Sequence, residues 1–202
     1  MSGAATACEP FAVADELTCY YDRPSEPANV HLEVRLAGQL DQAALRAAVG
    51  KLLGAEPGLL ARRARTSPWR RRFRWEFVVW PDADPLQIAS YRDLAELDRQ
   101  RDAFVSVPPP LNSAPPFLLL LASGPDGDCL MLNAHHARFD GLACLRLMTE
   151  LGTAYGQAAA QHRAPEPAAD PAADPDTPDA GTLGHGGPGP DGNRNRRVEL
   201  PG

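Results

Sequence analysis

The sequence predicts an α+β fold, a two-layer sandwich in which a mostly antiparallel sheet carries helices on one face. Three observations lead there. Val30–Leu36 alternates apolar and polar residues, the pattern of a strand with one wet face. Phe117–Ala122 and Cys129–Ala134 are apolar runs joined by Gly124-Pro125-Asp126-Gly127, a turn signal. Leu142, Leu145, Met148, Leu151 and Tyr155 then recur every three or four residues, as on the buried face of a helix.

From the N-terminus, Val13–Tyr21 is a short amphipathic helix, broken by Pro24 and Pro27. The strand Val30–Leu36 turns His31 to solvent. Asp41 is placed to cap a helix whose Leu45, Ala48, Val49 and Leu52 share one face, with Gly54 and Pro57 ending it. Leu59–Arg65 and Arg72–Trp80 read as a hairpin around Thr66-Ser67-Pro68.

Seven arginines fall between Arg62 and Arg74. The alternation of Phe73, Trp75 and Phe77 with charged residues favours a solvated strand face over a patch for phosphates, which is the sharper alternative. Asp93–Phe104 is a surface helix, closed by Pro108-Pro109-Pro110. Phe117–Ala122, apolar on both parities, fits a central strand covered on both faces.

Length and composition bound the rest. The 202 residues suffice for one well-cored domain, and 44% hydrophobic content supports it. Residues 1–162 are expected to form that body. Residues 163–202 hold Pro, Ala, Asp and Gly with hardly any large apolar side chain, so a disordered tail is expected. A net charge of -6 argues against a nucleic-acid partner. Cys8, Cys19, Cys129 and Cys144 stand far apart, with neither zinc-ligand spacing nor a disulfide framework. No apolar run is long enough for a membrane span and no basic-then-apolar leader opens the chain, so a cytoplasmic protein is expected.

The chemistry concentrates in His135-His136-Ala137-Arg138-Phe139-Asp140-Gly141, between the strand and the last helix. Adjacent strand residues face opposite ways, so one histidine of the pair points into the core and the other outward. That divergence also disfavours a metal held by His135, His136 and Asp140. Asp140-Gly141 reads as a tight turn, and Gly141 leaves room beside the imidazole for a substrate atom. On residue chemistry alone, such a pair is more often core or surface than catalytic.

These seven residues fit the HHxxxDG signature. The chain thereby resembles the superfamily of chloramphenicol acetyltransferase, the condensation domains of nonribosomal peptide synthetases, and the wax-ester and polyketide-associated acyltransferases. The resemblance covers most of residues 11–160, the N-terminal subdomain only. It also includes Glu56-Pro57-Gly58-Leu59-Leu60, Pro109-Pro110-Leu111 and Pro115-Pro116-Phe117. Glu56 stands where the family commonly has a histidine.

What the resemblance implies is a chloramphenicol acetyltransferase-like half that moves an acyl group from a thioester to an amine or hydroxyl, in secondary metabolism. His136 would be the general base, His135 a buried structural histidine, and Asp140 a brace paired with Arg62 or Arg63. The substrates would be acyl-CoA or a phosphopantetheinyl carrier thioester, with no tightly bound cofactor and no metal. These enzymes close a channel between two similar subdomains or between subunits, so a complementary C-terminal chain or a homo-oligomer is expected, and little activity from a lone monomer. The alternative is a non-catalytic remnant that binds a carrier protein or partner through the arginine-rich hairpin.

Overall fold

In the computed structural model the described residues are 5–23, 25–65 and 72–163. The tail reading of residues 163–202 and the turn at Thr66-Ser67-Pro68 lie outside them, apart from Arg163 at the end of the last helix.

The chain runs β1 (Ala5–Pro10), α1 (Val13–Tyr21), β2 (Asn29–Arg35), α2 (Gln42–Ala55), a 3-10 turn (Pro57–Leu59), β3 (Ala61–Arg63), β4 (Arg74–Val78), β5 (Leu86–Ser90), α3 (Leu94–Ser106), β6 (Phe117–Gly124), β7 (Gly127–His135) and α4 (Gly141–Arg163). The strands form two sheets, β1-β4-β3 and β2-β7-β6-β5. All pairs are antiparallel except β5 with β6. The α+β class is therefore met.

All nine residues of β7 are buried, as expected for a central strand. Its two faces serve two cores. Leu130 and Leu132, with Leu119 and Leu121 of β6, pack against Leu45, Val49 and Leu52 of α2 and Leu147 and Leu151 of α4. Cys129 and Met131, with Leu120 and Ala122, pack against Leu97 and Phe104 of α3.

This corrects the expectation of helices on a single face of one sheet. A parallel strand pair needs a crossover, and α3 is the crossover from β5 to β6. It lands on the face away from α2 and α4, so the larger sheet is covered on both sides. The parallel strand β5, edged by Gln87 and Ser90, carries too little periodicity to be seen in the sequence. Neither it nor β1 was expected.

Local signals explain most boundaries. The Asp41 carboxylate accepts the amides of Ala43 and Ala44 at 2.8 and 3.0 Å, and Asp93 accepts that of Glu96 at 2.8 Å. Such caps satisfy donors that the first helical turn leaves open. At the β6–β7 turn Gly127 has φ +114°, a backbone state that side chains resist. His31 is exposed as expected. Burial of part of its ring, against a bond from Asn133, lowers its pKa.

The smaller sheet has its own core of Phe11, Ala61, Trp75, Leu111 and Ala137, with Cys19 of α1 packed against it. Phe11 stacks on Trp75 with ring centroids 4.0 Å apart. Ala137 belongs to the segment that follows β7, so this third core touches the histidine loop directly. Among the described residues no helix is long and apolar enough to cross a membrane.

Candidate functional site

The β2–β7 ladder ends with Asn29 opposite His135. One residue further the chain leaves the sheet, and the amides of Arg138 and Phe139 both donate to the His135 carbonyl at 3.0 Å. This folds residues 135–139 into a turn before α4 begins.

The two histidines diverge, His135 as the last residue of β7 and His136 as the first beyond it. His135 is 1% exposed, whereas His136 is an exposed residue at the strand's end. His135 Nδ1 accepts the Ala137 amide at 3.1 Å, and its Nε2 faces Asp22 Oδ2 at 3.2 Å. An amide can only donate, so Nδ1 is bare and the proton of the neutral ring sits on Nε2, donated to Asp22. Burial, outweighing the pull of Asp22, holds the His135 pKa below its ordinary value. His135 is thus a neutral strut, and His136 presents the imidazole that a ligand can reach.

Asp140 braces the loop by a different route from the one expected. Its Oδ1 accepts the Ala143 amide at 2.7 Å and its carbonyl accepts that of Cys144 at 3.0 Å, so it caps α4. The expected pairing with Arg62 or Arg63 is not made. Arg62 is held by Glu76 at 2.9 Å and by both oxygens of Asp82 at 2.7 and 2.9 Å. Arg63 donates to Asn112 at 3.2 Å and lies 5.2 Å from the Phe73 ring centroid. The reason is register: β3 pairs Arg62 with Glu76 of β4, in the smaller sheet.

Gly141 is the first residue of α4, and a Cβ built on it meets nothing within 4 Å. The Asp140-Gly141 step is thus a helix start rather than a tight turn.

Two residues with roles in the loop escaped the sequence reading. Asp22, just after α1, holds His135 from a position 113 residues away in the chain. Arg138 is half-buried, donates to the Gly58 carbonyl at 2.8 Å, and lies over the Trp75 and Phe77 rings. Nothing local in the sequence marks either one.

The arginines of the hairpin are dispersed. Arg72 binds Glu16 and the Phe11 carbonyl, both at 3.2 Å, and Arg74 donates to the Cys8 carbonyl at 2.7 Å. With Arg62 on Glu76 and Asp82, these guanidiniums serve packing between strands and α1. Arg70 and Arg71 lie outside the described residues.

Near the loop, a cleft of about 240 Å³ is lined by Glu56, Leu59, Phe139, Arg146, Leu147 and Glu150, among others. Among the described residues no group of three or more His, Cys, Asp or Glu side chains converges as a metal site would require.

No family model matches the chain. Two proteins of Mycobacterium tuberculosis, "Uncharacterized protein MT2362" of strain CDC 1551 / Oshkosh and "Uncharacterized protein Rv2305" of strain ATCC 25618 / H37Rv, are each 37% identical over 132 residues. The match takes in 63% of this chain and only 29% of each relative. The solved structures that resemble it include the first condensation domain of the CDA synthetase, at 18% identity and TM-score 0.65, covering 80% of this chain and 42% of that one. The SgcC5 protein of Streptomyces globisporus aligns at 22% identity and TM-score 0.56, over 80% and 38%. The X-domain in its complex with OxyB from teicoplanin biosynthesis aligns at 19% and 0.63, over 78% and 35%. The described body has the fold of the N-terminal part of a condensation domain.

Proposed function

We propose that this chain is the histidine-bearing half of a thioester-dependent acyltransferase. The observation that carries the reading is the split of the histidine pair, with His135 buried and bonded at both nitrogens and His136 exposed at the end of β7. His136 takes the proton of an amine or hydroxyl acceptor as that nucleophile attacks the thioester carbonyl. The tetrahedral intermediate then collapses, the carbon–sulfur bond breaks, and the thiolate leaves, taking back the proton held on the His136 imidazolium. General-base assistance of this kind contributes about 10²- to 10⁴-fold. The donor is acyl-CoA or an acyl phosphopantetheinyl carrier.

The site is completed by a second wall, from a complementary subdomain chain or another copy. Two features support this. Leu142 and Leu145, one turn apart at the start of α4, are 77% and 54% exposed beside the histidine loop. The chain also spans only 42% of the CDA condensation domain and 29% of its curated relatives. A closed channel would exclude the water that competes with the acceptor.

The test is acyl transfer from a panel of acyl-CoA donors to amines and alcohols, with the chain alone and with a separately expressed C-terminal subdomain. Activity that appears with the second component and disappears in His136→Ala supports the proposal. Transfer that survives His136→Ala overturns it.

A second reading is a non-catalytic binding module for a carrier or partner protein. The likeness to the X-domain favours it, since that structure is a complex with OxyB. A binding module would retain partner affinity in His136→Ala and transfer no acyl group in any combination.

A further inference from the structure

We infer that Asp22 is the positioning residue for His136: one carboxylate, through two short relays, fixes the two backbone amides that bound residue 136. This deepens the reading of His136 as the proton acceptor and rests on it.

The two oxygens of Asp22 accept from different donors. Oδ1 accepts the Ala28 amide at 3.0 Å, and Oδ2 receives the His135 Nε2 proton at 3.2 Å. Each of these two residues also holds an amide that adjoins His136. The Ala28 carbonyl accepts the His136 amide at 2.8 Å, and His135 Nδ1 accepts the Ala137 amide at 3.1 Å. Both peptide groups adjoining the Cα of His136 are therefore tied to the same side chain.

The arrangement is needed because the β2–β7 ladder stops at Asn29 and His135. Beyond it the strand no longer dictates where the next side chain points. Ala28 extends the pairing by one bond, and Asp22 sets where Ala28 stands. The other arm depends on a tautomer. Only with the proton on Nε2 is Nδ1 free to receive the Ala137 amide, and a carboxylate, which can only accept, selects that tautomer. Asp22 itself has no part in the proton transfer. Its contribution is orientation, and a displacement of about 1 Å in such a group can cost about 10²-fold in rate.

The two arms can be cut separately. In Asp22→Asn the side-chain oxygen can keep Ala28 while the amide NH₂ faces His135 Nε2. Two donors then meet, and the ring must shift its proton to Nδ1 or turn away. In Asp22→Ala both arms are lost, and Asp22→Glu restores a carboxylate. Asp98→Asn, at a surface ion pair with Arg101 on α3, is the control.

The experiment is NMR on the labelled full chain, reading the His135 tautomer from its ring nitrogens and hydrogen exchange at individual amides. In the parent protein His135 shows a protonated Nε2 and a bare Nδ1. Asp22→Asn reverses or scrambles that pattern and speeds exchange at Ala137 by about tenfold, the loss of one hydrogen bond, while the His136 amide is little changed. Asp22→Ala speeds both amides, Asp22→Glu recovers at least one, and Asp98→Asn changes neither. Unchanged exchange at both amides in Asp22→Ala overturns the inference. So does acceleration shared equally by core amides such as those of Leu121 and Leu132, because Asp22 would then be a general stabiliser. These readouts need no activity, so they stand apart from the fate of His136 as a base. Where transfer is measurable, Asp22→Ala lowers kcat with KM near the parent value. Transfer that ignores His136→Ala removes the catalytic reading without touching the tautomer result.

Discussion

Arg138 donates from Nη2 to the carbonyl oxygen of Gly58, 2.8 Å away, and so ties the histidine loop to the turn that leads into β3 of the smaller sheet. The same guanidinium lies 5.6 and 5.5 Å from the centroids of Trp75 and Phe77 on β4. Burial pushes its pKa down from the ordinary arginine value, yet arginine stays charged across the working pH range. The loop is thereby gripped from two sides, by Asp22 behind His135 and by Arg138 across the sheet boundary.

Arg138→Met should therefore destabilise the protein by about 2 kcal/mol, combining a charged hydrogen bond with cation–π contacts that are partly shielded from water. Arg138→Lys should lose about half as much, since the ammonium keeps the charge without the planar fork. Urea denaturation checks both. Midpoints within experimental error of the parent would show that the loop is held without this residue.

The β6–β7 turn makes a sharper contrast. Gly127 has φ +114°, and a Cβ there would run into the Leu36 carbonyl oxygen, which is backbone and cannot swing aside. At Gly124 a Cβ would collide with the Tyr91 ring, whose hydroxyl donates to the Gly127 carbonyl at 2.7 Å. Gly127→Ala should cost at least about 2 kcal/mol from strain and overpacking. Gly124→Ala should also destabilise, but in a Tyr91→Ala background most of that cost should vanish. A double-mutant cycle measures this, and additive effects would contradict the contact.

The course of β6 was legible in the sequence because a short run apolar on both parities, bounded by a turn signal, fits a covered strand, and the turn after it leads into β7 with His135 at its end. The cap at Asp41 and the helix after Gly141 were legible for similar local reasons. What escaped were relationships between distant segments. The βαβ crossover that carries α3 to the far face rests on β5, whose five residues hold only one fully buried side chain. The grip of Asp22 on His135 spans 113 positions. Whether Arg62 or Arg63 meets a carboxylate depends on the pairing of β3 with β4, and that register is set by packing rather than by the arginines.

Acid should weaken the fold through its histidines. The His135 pKa is lowered from 6.5, chiefly by burial, so the folded state binds this proton less readily than the unfolded chain. The neutral ring's contribution is fully present above pH 6.5 and drains away as the pH falls through the lowered folded value. Unfolding free energy should fall between pH 6.5 and that lowered value, with a slope of up to about 1.4 kcal/mol per pH unit per proton, and level off below it. His31, also lowered by burial, adds to the slope, and His31→Asn isolates its share. His135→Gln, though less stable at neutral pH, should give a flatter profile. A slope equal to the parent's would mean that His135 does not titrate with folding.

Asp140 and Arg62 should behave as strangers. Asp140 spends its carboxylate on the Ala143 amide at 2.7 Å, so Asp140→Ala should cost about 1 kcal/mol, the loss of a helix cap. Arg62 is ion-paired with Glu76 and Asp82, all three side chains being less than a quarter exposed. Its replacement by methionine leaves two shielded carboxylates without this cation, an imbalance worth about 2 kcal/mol once partial solvation is allowed for. Glu76→Gln with Asp82→Asn should recover much of that loss, although Asp82 also accepts the Ala114 amide at 2.8 Å. The coupling between Arg62→Met and Asp140→Ala in a stability cycle should lie within about 0.5 kcal/mol of zero, as for separate sites. A coupling well above 1 kcal/mol would restore the direct Arg62–Asp140 bridge and require β3 to pair with β4 in a different register.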